Sequence, residues 1–159
     1  MQHNVPTLAE GDTTPGPTTG SIQYTGVTSC LTLTILYSDG TASGGHASLT
    51  PSPGQRTIED VVDELQRQSR EKTVARVVVA GEVKLWNQRM KSMNWRYRTV
   101  EQIIDDLRKG ATYIQYDSRE KLEGKKAYMS LSADHRILII KSENNKVVHS
   151  MDLSRYLLY

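Results

Sequence analysis

The feature that most constrains this chain is an alternating run, Leu31-Thr-Leu-Thr-Ile-Leu-Tyr37, followed by Ser38-Asp-Gly-Thr41. Apolar residues at every second position suit a strand with one face in a core, and Asp-Gly is hairpin-turn chemistry. The run therefore predicts a β-hairpin, roughly 29–37 and 42–49, ended by Pro51-Ser-Pro-Gly54. It also brings the start of the first arm close to the end of the second. Cys30, the only cysteine, stands at that start, and His46 stands on the returning arm.

A lone thiol makes neither an internal disulfide nor a multi-cysteine metal site. It can be a nucleophile if a base is within reach. A lone cysteine can equally be a small buried hydrophobe, and a lone histidine a satisfied loop residue. Gly26 before Cys30 and Gly44-Gly45 before His46 remove bulk where a substrate backbone could approach.

The remaining elements follow from periodicity and punctuation. Residues 1–20, rich in Thr, Pro and Gly, show no period and are expected to be a flexible tail. Residues 21–159 are expected to form a single domain, opening on a strand at Ser21–Thr25. Thr57 is a good N-cap for a helix with Ile58, Val61, Val62 and Leu65 on one face. Val74–Ala80 reads as a buried strand. Thr99 caps a second helix bearing Val100, Ile103, Ile104 and Leu107, with Gly110 as its stop. Strands are expected at Thr112–Tyr116, Ala127–Leu131 and Arg136–Lys141, and His149 to Tyr159 adds a final strand and an apolar tail. Few helices set among many strands predict an α+β fold, a layered β-sandwich of mixed sheets flanked by helices.

Residues 84–98 are the hardest to place. Lys84, Arg89, Lys91, Arg96 and Arg98 alternate with Trp86, Trp95 and Tyr97, and no acid lies among them. The segment is expected to be a loop, with Trp86 and Trp95 as candidate substrate-recognition residues. Alternatively it is the working surface of a non-catalytic module that binds protein or nucleic acid. An adaptor with a dead site is a third reading. A formal net charge of +2 gives no global nucleic-acid signal. No apolar run approaches the ~18 residues of a membrane span. The start of the chain lacks a basic segment followed by an apolar core, so no secretory signal peptide is expected.

Several segments together resemble the chemoreceptor glutamine deamidases (CheD) and their superfamily, which includes the cytotoxic necrotizing factors. In that superfamily a Gly-x-Gly-Ser-Cys turn carries the nucleophile and a histidine on the following strand is the base. Gly26-Val-Thr-Ser-Cys30 resembles the turn, with Thr28 in place of the second glycine. Gly45-His46-Ala-Ser-Leu-Thr-Pro51 resembles the histidine segment. Val77-Val-Val-Ala-Gly81 resembles a strand ending Ala-Gly-Gly, with Glu82 in place of the last glycine.

The resemblance covers about residues 21–142. It implies a deamidase fold and hydrolysis of a protein glutamine side chain to glutamate, through a Cys30 thioester with His46 as base. Gly26 and Ser29 would shape the oxyanion turn. It implies no cofactor and no metal. A third group orienting His46 is expected at Tyr24 or Thr25, as a hydroxyl or, preferably, a main-chain carbonyl. The partner is then a protein carrying a target glutamine, with neither membrane nor nucleic acid expected. The protein would act in the cytoplasm on a chemoreceptor, or as an effector or toxin delivered into a target cell.

Overall fold

The computed structural model describes residues 5–27, 29–118 and 126–153. Among these residues nine strands form two mixed sheets, and three helices cover one of them. The first sheet has the order β1 (Thr7–Leu8), β2 (Ile22–Val27), β7 (Ala127–Leu131), β8 (Ile137–Ser142) and β9 (Val147–Asp152). The second has the order β4 (Ala42–Ala47), β3 (Leu31–Tyr37), β5 (Val74–Gly81) and β6 (Thr112–Asp117). Parallel pairs occur at β1–β2 and β5–β6, and the rest are antiparallel. The expected α+β layered sandwich is the observed architecture.

Alternation along β3 separates two cores. Leu31, Leu33, Ile35 and Tyr37 pack with Val77, Val79 and the helices. Cys30 and Leu36 pack with Val78, Ala80 and the first sheet. Helix α1 (Ile58–Gln68) starts at a capping box. The Thr57 hydroxyl accepts from the Asp60 amide, and the Asp60 carboxylate accepts from that of Thr57. Helix α3 (Val100–Arg108) repeats the device with Thr99 and Gln102. It ends where Lys109 and Gly110 turn left-handed, at φ 49° and 81°. No helix among the described residues is long and apolar enough to cross a membrane.

Two regions differ from expectation. The segment expected to be a loop contains helix α2 (Val83–Arg89) and a 3₁₀ turn at Met90–Ser92. Val83, Trp86 and Met90 recur at helical spacing and are buried, while the basic residues stay outside.

The front of the chain is also built into the fold. After β1 it runs along the free edge of β4. The Gly11 amide donates to the His46 carbonyl, the His46 amide to the Asp12 carbonyl, and the Thr14 amide to the Gly44 carbonyl. Thr18 and Ala42 exchange both main-chain bonds. Thr14 is fully buried and its carbonyl accepts from Gln68 on α1. This strap joins the edges of the two sheets and closes one side of the sandwich. Its bonds are main-chain bonds, so a Thr/Pro/Gly composition does not prevent them. Residues 1–4 and the expected apolar end, 154–159, lie outside the described residues.

Candidate active site

The register of the hairpin sets the site. His46 pairs with Thr32, and Leu31 pairs with Ala47. Cys30, one residue before β3, is thus a diagonal neighbour of His46 on the face turned to the first sheet. Diagonal neighbours on one face are near enough for longer side chains to meet. Both residues are fully buried.

Gly81 and Gly44 make this packing possible, at opposite ends of the site. Gly81 closes β5 at φ 145°, and a Cβ on it would lie well inside 3.0 Å of the Cys30 carbonyl oxygen. The backbone of β5 can approach Cys30 so closely because no side chain intervenes. A Cβ on Gly44 would collide with the Tyr24 hydroxyl, so Tyr24 lies over β4 where that side chain is missing.

The third group was expected at Tyr24 or Thr25, and the structure places it elsewhere. The Nδ1 of His46 lies 3.0 Å from the main-chain carbonyl of Leu8, at the end of β1. A carbonyl only accepts, so Nδ1 carries the proton and the lone pair falls on Nε2. Nε2 is buried and has no hydrogen-bond partner among the described residues. The acceptor is a main-chain carbonyl, as preferred, but it comes from β1.

Tyr24 has other work. Its hydroxyl lies 2.6 Å from the Thr34 hydroxyl and donates to the Leu33 carbonyl at 3.3 Å, and its ring stands edge-on to His46. Thr25 lines a 240 Å³ cavity with Gln23, Tyr128, Ser130 and Lys141, on the other side of the sheet. Tyr24→Phe should cost about 1 kcal/mol of stability, from the lost hydroxyl bonds. The alkylation rate of Cys30 should not change, because Leu8 still holds the ring. A large rate change in a folded variant would return the orienting role to the hydroxyl.

The thiol itself meets a residue that spacing did not single out. Cys30 Sγ donates to Glu10 Oε1 at 3.0 Å. Glu10 occupies the second position of a turn in which the Asp12 amide donates to the Ala9 carbonyl, with Gly11 third at φ 85°. A glycine at that position is the mark of a type II turn. Ala9-Glu-Gly-Asp12 was therefore a readable turn, although its target was not.

Trp86 and Trp95 do not form a substrate platform. Trp86 is fully buried, stacks on half-buried Trp95 with ring centroids 5.8 Å apart, and donates through Nε1 to the Ser29 carbonyl at 2.9 Å. It anchors the residue before the thiol from below. Tyr97 is buried too, and Arg96 pairs with Asp63 at 2.6 Å. The rings that would stack bases are thus largely turned inward. Gly26 takes φ 64° at the irregularity between Tyr24 and Val27 in the β2–β7 pairing. Thr28 lies outside the described residues.

Burial holds the imidazole of His46 below its ordinary pKa, against the opposing pull of the Leu8 carbonyl and the charges of Glu10 and Asp12. His46 is therefore a neutral base at neutral pH. The unfolded chain binds the proton more readily, so this residue makes stability rise with pH. Acidification below about pH 6.5, where a free imidazole titrates, should weaken the fold progressively until the buried ring is protonated. His46→Gln keeps a donor for Leu8 and removes the titration. Urea midpoints between pH 8 and 5 should fall more steeply for the wild type than for the variant. Parallel curves would mean that the ring titrates normally.

No family model matches the chain, and no curated protein compared with it matches.

Proposed function

We propose that the protein is a cysteine-dependent protein glutamine deamidase. The observation that carries this reading is the imidazole of His46. Its Nδ1 is committed to a main-chain carbonyl, and its Nε2 is basic, unpartnered among the described residues, and on the same face as the only thiol.

The chemistry follows from those groups. The Cys30 proton passes to Nε2 as Sγ bonds to the carbon of the substrate carboxamide. The oxyanion takes a hydrogen bond from the main-chain N–H of Cys30 at the end of the Gly26–Cys30 turn. The imidazolium returns its proton to nitrogen, the C–N bond breaks, and ammonia leaves a thioester. A water molecule gives a proton to Nε2 and attacks the thioester carbonyl. The sulfur departs, recovers the proton, and glutamate is released. One water is consumed and one ammonia formed, with no redox step. Trp86 and Gly81 act through Cys30 as positioning residues.

The substrate class is a protein glutamine, in a chemoreceptor within the same cytoplasm or in a protein of a target cell. Incubation with candidate proteins should release ammonia, and each conversion should add about 1 Da and a new carboxylate to the target. Ammonia without a mass change on a protein glutamine would place the activity on small amides.

A further inference from the structure

Glu10 joins two places that are otherwise separate. The residue is exposed, yet its carboxylate accepts the proton of a fully buried thiol. It also lines a groove of about 540 Å³ with Asp12, Thr13, Gln55, Arg56 and Arg67. The strap under it is fixed. Its amides and carbonyls are tied to β4, and the Glu10 carbonyl accepts from Gln55 Nε2 at 3.1 Å. Glu10 thus belongs both to the lining of the groove and to the contacts of the sulfur. A second observation stands beside it: the fully buried Nε2 of His46, on the same face as Cys30, has no hydrogen-bond partner among the described residues.

We propose that Glu10 is the specificity-determining residue of the site: its carboxylate accepts a hydrogen bond from the NH₂ of a substrate carboxamide and repels carboxylates. The assignment rests on reading Cys30 as the nucleophile. In the free protein the thiol proton occupies the carboxylate. When substrate enters from the groove, the carboxamide N–H takes that place and the thiol is released toward Nε2. An ionised carboxylate offers no donor and brings a like charge beside that of Glu10. Glutamine is thereby admitted, and glutamate, the product, is expelled by the residue that recognised its precursor.

The two alkylating reagents iodoacetamide and iodoacetate separate this role from the deamidase reading. Both form an S–C bond at Cys30 with loss of iodide and of the thiol proton, but one carries a carboxamide and the other a carboxylate. In the folded wild type the amide-to-acid rate ratio should exceed that of the urea-unfolded chain by about tenfold or more, as one close like charge predicts. Glu10→Gln should return the ratio to the unfolded value, and Glu10→Asp should keep most of it. In the wild type alone, propionamide should slow iodoacetamide labelling and propionate should not, which covers the case of a variant that does not fold.

An unchanged ratio in a folded Glu10→Gln variant overturns the proposal. So does equal protection by propionamide and propionate, or a thiol that neither reagent reaches before unfolding. A ratio that behaves as expected, with no ammonia from any protein, keeps the role of Glu10 and removes the deamidase reading. Equal ammonia release by wild type and Glu10→Gln, with a flat ratio, does the reverse.

Discussion

Cys30→Ser should leave the fold standing and remove deamidation. The exchange replaces sulfur by oxygen in a fully buried site, and a serine hydroxyl can still donate to Glu10. The stability change should stay within about 2 kcal/mol, because no cavity opens and no charge is stranded. Activity is another matter. A serine hydroxyl beside a neutral imidazole is a far weaker nucleophile than a thiol at the same pH. Loss of a nucleophile typically removes about 10³-fold or more of the rate. Ammonia release by the purified variant on a verified target should therefore fall to the background of the assay, with unchanged circular dichroism. Retained activity would show that the sulfur takes no part, and loss of the fold would make Cys30 a structural residue.

Gly81→Ala carries the largest expected effect on stability. Two penalties coincide there. At φ 145° a side chain is strained whatever the space around it, and the new Cβ would overlap main-chain atoms of Cys30 and Leu31, which cannot rotate away. The strand end must move, and the pairs Leu31–Gly81 and Thr32–Ala80 move with it. A cost of about 3 kcal/mol or more is expected, a large share of the ~5–15 kcal/mol that holds an ordinary domain. For a chain of this size the melting temperature should fall by roughly 10 °C. Gly40→Ala is the control. It also has positive φ, but it sits in the hairpin turn with no atom within 4 Å of the added Cβ. Equal melting temperatures for Gly81→Ala and Gly40→Ala would mean that the approach of β5 to Cys30 is not tight.

Much of the scaffold was readable because its signals are carried by side chains. The alternation of Leu31, Leu33 and Ile35, the caps Thr57 and Thr99, and the apolar stripes of α1 and α3 all act through residue type. Cys30 and His46 were found together for a related reason. The turn chemistry of Asp39-Gly40 brings the start of one arm near the end of the other, and the register of the hairpin then puts them on one face. The acceptor for His46 was not readable, because any residue supplies a carbonyl and Leu8 looks only like a buried leucine. Strand β1 was missed because two residues cannot show a period. Helix α2 is hard to read because its charges and rings suggest a surface, although Val83, Trp86 and Met90 recur at helical spacing. Glu10 stood in a recognisable turn, but its reach to the sulfur depends on the path of the strap across the sandwich.

That path gives the first twenty residues an influence out of proportion to their composition. A boundary drawn at Ser21, where regular patterning begins, would keep β2 to β9 and all three helices. The fragment would still lose the acceptor that sets the tautomer of His46 and the carboxylate that meets the thiol. It would also bare the main chain of β4 at Ala42, Gly44 and His46, which the strap now covers. An uncovered strand with two glycines and few charges is a template for pairing with another chain. Trimming at the front would therefore convert a covered sheet edge into an adhesive one, and the damage would first register as self-association.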